Sequence, residues 1–347
     1  MRETKKSWLY RALPALTLML VAPLITEVLP GATRISSIFV FPIEVLIWGG
    51  GAVMIRFLVR KYRLGWLNML LLALALSVAE EVLIQQTSLA PLVIKLKGVE
   101  YARSFGVNYV YFAWALIYEA LFVVVVPVAL CEMIFSDRKD NGWLNAWGAG
   151  IVTLLFFPAC FLAWYSWTQI ARTTVFHLPA YNLPLPYAAI GGTVIVVLCL
   201  LAVGPFRRAV ATPAKAITPL HPIVVGGLAL AVSVVLFGLV VLAFGIKPDF
   251  PPLAAVAIAF VIALLLVAIV PGWLASPKWS RVHEVSATYG AIIGNCGAMF
   301  VGFIGAVPID LYGKIILDVL ALLLMVWLAA RYLRKSDSLS CIDKPTA

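Results

Sequence analysis

Seven carboxylates interrupt long apolar runs of the sequence: Glu27, Glu44, Glu80, Glu81, Glu119, Glu132 and Asp318. A charge held in such surroundings costs several kcal/mol unless it is neutralised. Acids gathered at one level therefore cannot all be ionised. Some must hold protons, or the group must surround a cation or a water-filled cavity. Proton or cation exchange is the chemistry such residues can do. The competing expectation is that each acid is separately neutral and hydrogen-bonded across helices as structural glue, and Glu27 and Glu132, near the ends of their runs, suit that role best. The residues expected to form a proton, cation or substrate site are Glu44, Glu80, Glu81, Gln85, Glu119 and Asp318.

The adjacent pair Glu80–Glu81 carries the most information. Ser77, Glu81, Gln85 and Ser88 fall on one helical face at i, i+4, i+8 and i+11, with Glu80 and Thr87 beside them. A polar stripe on a Leu/Ala-rich run must face protein or water. The segment Ala79-Glu80-Glu81-Val82-Leu83-Ile84-Gln85 resembles the first motif of the CAAX-protease and bacteriocin-processing family of glutamic intramembrane proteases. That resemblance implies a membrane-embedded peptidase in which two glutamates and histidines polarise a water. Gln85 stands where the family has arginine, Tyr118-Glu119 where a histidine is wanted, and no HxxxN occurs. The chain is also broadly similar to bacterial membrane proteins of no assigned function. They share a Pro-x-x-x-Glu near the end of the first run (Pro23, Glu27), a glycine-rich second run (Gly49-Gly50-Gly51) and a Glu-Glu third.

Other chemistries find no residues. His177, His221 and His283 are scattered, with no HExxH, and no Walker A, GxGxxG or GxSxG pattern stands out. Cys131, Cys160, Cys199 and Cys296 lie in apolar runs and Cys341 in the tail, without metal-ligand spacing. No metal site and no cofactor is expected. Helix-spaced Gly290, Gly294, Ala298, Gly302 and Ala306 form a small-residue stripe suited to close helix packing, with Asn295 beside it.

The elements that must position these residues follow from composition. Of 347 residues, 63% are hydrophobic and 12% charged, about half the charge of a soluble domain. A spanning helix needs about 20 apolar residues. Ten runs qualify, at 12–30, 36–58, 64–88, 107–135, 143–167, 186–205, 222–246, 251–273, 286–306 and 308–333. The expected fold is all-α, a polytopic transmembrane bundle of about ten helices. It forms one domain over 1–347, within which 1–136 is an acidic sub-bundle, 137–335 a helical remainder and 336–347 a cytoplasmic tail. The first run lacks a small-x-small cleavage site and reads as a retained helix rather than a signal peptide.

With ten spans, the 26 basic residues divide nineteen to seven between the two sides. The positive-inside rule then puts both termini in the cytoplasm of a cell (inner) membrane. The formal net charge of +10 reads as topology signalling and contact with anionic lipid rather than as nucleic-acid binding. By this topology Glu44, Glu80 and Glu81 sit roughly 12 Å below the outer surface, Glu119 and Asp318 about 15–18 Å, and Glu27 within about 5 Å. Three functions compete. A transporter for a small solute or cation would couple its carboxylates to transport. A divergent or inactive peptidase needs a nitrogen base beside Glu80, and a scaffold needs every acid to be separately paired.

Overall fold

The computed structural model describes residues 8–93, 100–210 and 215–340. Arg2, Lys5, Lys6, Lys95, Lys97, Cys341 and Lys344, used in the sequence reading, lie outside the described residues.

Ten helices are long and apolar enough to cross a membrane: α1 (Tyr10–Val28), α2 (Ile35–Lys61), α3 (Trp66–Ile84), α4 (Tyr109–Ile134), α5 (Ala146–Thr174), α6 (Leu185–Val203), α7 (Pro222–Ala243), α8 (Pro252–Leu274), α9 (Arg281–Phe303) and α10 (Pro308–Arg334). Each matches one predicted run. The chain is a polytopic all-α membrane protein. Its single sheet among the described residues is a two-stranded hairpin, β1 (Arg103–Ser104) and β2 (Val107–Asn108), in the α3–α4 connection.

Helix α4 is the spine. Its Ala120, Val123, Val124 and Cys131 join the core formed with α1, α2 and α3. Its Val110, Tyr118, Phe122 and Leu130 join a second core with α7, α8, α9 and α10. Close approach is set by glycine. A Cβ on Gly49 of α2 would stand 2.0 Å from the Met19 carbonyl of α1, and one on Gly290 of α9 would stand 2.2 Å from the Gly226 carbonyl of α7. The predicted small-residue stripe is therefore real packing at Gly290 and Gly294, whereas nothing lies within 4 Å of such a Cβ at Gly302. Ala306 lies past the end of α9 altogether. The outer surfaces of α5 and α6 remain bare: Trp147, Leu154, Phe157, Leu185 and Ile190 are exposed, as lipid-facing side chains are.

Two helix ends differ from the sequence reading. The α5 helix runs on to Thr174 through a π-helical stretch, Tyr165–Ala171, into what the sequence suggested was a loop. Buried Arg172 explains the extension, since its guanidinium bonds the Pro179 and Pro91 carbonyls at 3.1 and 2.8 Å. The α3 helix stops at Ile84 rather than at Ser88. The amides of Gln85 and Gln86 both return to the Glu80 carbonyl, and Gln86 takes a left-handed φ of 61°, which ends the helix. Glu80 and Glu81 thus lie within about 6 Å of the helix end rather than roughly 12 Å.

Candidate functional site

The four acidic helices share a local irregularity. Each makes one π-helical turn, at Leu24–Val28 in α1, Val45–Gly49 in α2, Ala79–Ile84 in α3 and Ala120–Val125 in α4. Glu27 lies in the first, Glu44 immediately precedes the second, Glu80 and Glu81 lie in the third, and Glu119 immediately precedes the fourth. A π turn widens the helix and turns its side chains off the regular α-helical face, and such turns are frequent at functional sites. Here all four fall beside carboxylates.

These turns bring five glutamates together. Glu80 is within electrostatic reach of Glu81, Glu27 and Glu44, and Glu119 of Glu81, Glu80 and Glu27. Glu44, Glu80 and Glu81 are 4%, 2% and 3% exposed, deep enough that water does not screen them. Among the described residues, no basic group is among the charges acting on Glu80 or Glu119.

Their partners are few. Gly31, at φ 87°, turns the chain after α1 so that the amides of Gly31 and Thr33 both reach the Glu27 carbonyl at 3.0 Å. That turn aims the buried Thr33 hydroxyl at Glu44, to which it donates. Glu81 accepts the Ser88 amide at 2.9 Å and the Ser88 hydroxyl. Ser88 reaches it because the chain folds back beyond Gln86, not because both share a helical face. Glu81 and Glu119 also act on each other electrostatically, and like charges held close in a dry site cannot all be ionised. Glu80 Oε2 and Glu44 Oε2 are buried and have no hydrogen-bond partner among the described residues.

The surroundings close the site. Along α4, Tyr111, Trp114, Tyr118 and Phe122 contact one another in turn, edge-on at Tyr111–Trp114 and stacked at Trp114–Tyr118, whose centroids are 4.7 Å apart. The Tyr118 hydroxyl donates to the Thr26 carbonyl of α1 at 2.8 Å and accepts from Asn295 of α9 at 3.1 Å. Over the open end of α3 lies the connection to α4, whose Leu89, Leu92 and Tyr101 are buried. Arg103 laces it shut by donating to the carbonyls of Leu89, Ala90 and Gly106 and to Glu100. Asn108 then caps α4 by accepting the Tyr111 amide at 2.8 Å.

The remaining predicted residues fall elsewhere. Asp318 takes Lys314 as its partner, with Nζ 2.9 Å from Oδ2, and the same ammonium reaches the Leu29 carbonyl at 2.6 Å. Asp318 is therefore a paired charge docking α10 on the α1–α2 turn, assisted by Asp310, which accepts from Ser36. Gln85 is half-buried and ends α3, where it lends its backbone amide to Glu80. Ser77 bonds its own helix at the Ala73 carbonyl. Glu132 meets Arg56 and Arg60 at 3.0 and 2.7 Å at the other end of the bundle. Among the described residues no three His, Cys, Asp or Glu side chains come together as metal ligands. His283 is held by Ser280 and the Leu220 carbonyl, and His221 caps α7, both at the end of the bundle away from the glutamates. Sequence reading missed Thr33 and Lys314. For Lys314 the signal was its i, i+4 spacing from Asp318.

Fold and site together define a polytopic helical membrane protein with a buried cluster of glutamates. No protein-family model matches the chain, and neither curated proteins nor solved structures give a match.

Proposed function

We propose that this protein is a membrane transporter whose glutamate cluster binds and releases protons to drive a small solute across the bilayer. The observation that carries the reading is the gathering of Glu27, Glu44, Glu80, Glu81 and Glu119 within electrostatic reach of one another, with Glu80 Oε2 buried and unpartnered among the described residues. Like-charged carboxyls crowded in a dry site must hold protons, and a neighbour with a vacant acceptor gives such a proton somewhere to go, which makes a relay. A proton suits this geometry better than a metal ion, because the acids do not close into a ligand set. A peptidase would need a nitrogen base at Glu80, whose electrostatic neighbours are all carboxylates. The nineteen-to-seven division of basic residues supports cytoplasmic termini and a cluster in the outer half of an inner membrane.

Infrared spectroscopy of the purified protein at neutral pH tests the relay, with transport in proteoliposomes as the second arm. The expected result is a protonated-carboxyl band that shifts in heavy water and is diminished in Glu119→Gln. Solute-dependent acidification of an entrapped pH dye should fall at least tenfold in Glu80→Gln, Glu81→Gln and Glu119→Gln. A spectrum without that band, or transport untouched by all three changes, overturns the proposal.

A further inference from the structure

At the end of the bundle opposite the glutamates, α4, α9 and α10 splay apart around a cavity of about 180 Å³. Its wall is mostly built of apolar side chains, Leu130, Met133 and Ile134 of α4, Val285 of α9 and Leu328 of α10, with Ser136, Tyr289 and Tyr332 among them. Both tyrosines of the wall are already engaged. The Tyr289 hydroxyl donates to the Met325 carbonyl at 2.8 Å and Tyr332 to Glu284, while Arg281 holds the Tyr332 carbonyl at 3.1 Å. The charged lining group is different. The exposed Arg331 guanidinium lies 5.4 Å from the ring centre of Trp327, and no carboxylate pairs with it among the described residues.

The setting says what would enter. Leu323, Leu324, Val326 and Trp327 are exposed along α10, so the mouth of the cavity opens where this helix meets lipid. Arg331 stands one turn beyond Trp327, at the depth where apolar side chains give way to charged ones. An apolar cavity of about 150 Å³ stays dry and accepts a benzene-sized guest, so this one has room for a short length of hydrocarbon. An arginine offers five N–H donors in a fork that fits phosphate. We propose that this crevice binds an anionic phospholipid, one acyl chain in the cavity and the headgroup on Arg331. A free phosphate would satisfy the guanidinium but leave the hydrocarbon space unfilled. This site is independent of the transport reading.

Trp327 lines the cavity and supplies the probe. The protein in neutral detergent is titrated with phosphatidylglycerol or phosphatidylcholine brominated along the acyl chain, and tryptophan quenching is followed, with Trp327→Phe isolating the share of that residue. One basic residue near a lipid surface favours an anionic headgroup by about fivefold. Half-quenching of Trp327 should therefore need about fivefold less phosphatidylglycerol than phosphatidylcholine. Arg331→Gln, at an exposed position that leaves the fold intact, should abolish that preference, and Leu328→Trp should block quenching by filling the cavity. Equal quenching by the two lipids, a preference retained in Arg331→Gln, quenching unaffected by Leu328→Trp, or displacement of the lipid by millimolar inorganic phosphate would each overturn the proposal.

Discussion

Glu132 and Glu80 are both glutamates of the first four helices, yet they sit in opposite kinds of environment. Glu132 is met by two arginines, and one of them, Arg56, also donates to the Lys139 and Asn141 carbonyls and stacks on Trp143 at 3.2 Å. Glu80 is more deeply buried, has an oxygen with no partner and faces other carboxylates. A bundle that can neutralise a buried acid with arginine at one end has not done so at the other among the described residues. Asp318, which docks α10, is likewise paired, with Lys314, and the buried Asp310 beside that contact is met by Ser36. The unpaired group is kept at a cost to stability, and that points to use rather than support.

The comparison is most easily broken at its paired end. Arg56→Ala removes an ion pair, two carbonyl contacts and a stacked ring from a site that is 3% exposed, and should destabilise the protein by about 4 kcal/mol. Arg60 still neutralises Glu132, so the loss falls on packing and orphaned carbonyls. Unfolding in detergent, followed by circular dichroism, measures it. Lys314→Met comes next, at about 2–3 kcal/mol, because Asp318 can escape by taking up a proton. A double variant that also changes Asp318 to Leu should recover part of that loss, since a buried pair replaced by apolar groups is often nearly neutral. No recovery would mean that Lys314 acts mainly through the Leu29 carbonyl. Ser88→Ala removes the hydroxyl but not the amide from Glu81 and should cost about 1 kcal/mol.

Much of this was legible before any coordinates. Ten spans follow from the lengths of apolar runs, and lipid imposes those lengths directly. That the acids concentrate in the first four helices was equally plain. Their convergence was not, because it depends on π turns that no local pattern announces: the residues of Val45–Gly49 or Ala120–Val125 would suit an ordinary α-helix. The return of Ser88 to Glu81 depends on a left-handed Gln86, a conformation without the glycine or asparagine that would have signalled it. Asp318 was assigned to the cluster on depth alone. Depth says nothing about rotation around α10, and that rotation points Asp318 at Lys314.

The smallest effect on stability is expected where the proposed function is largest. Glu80→Gln keeps the shape of the side chain and replaces a carboxyl without a full set of partners by an amide with two N–H donors. Glu27, Glu44 and Glu81, the three groups that act on Glu80 electrostatically, are carboxyls and so accept from such donors on modest rearrangement. The substitution also removes one member of a like-charged group. Both terms favour the variant, so Glu80→Gln should unfold within about 1 kcal/mol of the parent protein, with a gain as the expected sign. A residue whose neutralisation stabilises the fold while abolishing proton-coupled flux has been retained for activity. A loss of 2 kcal/mol or more would instead show that Glu80 has a structural partner, and would place it in the same class as Glu132.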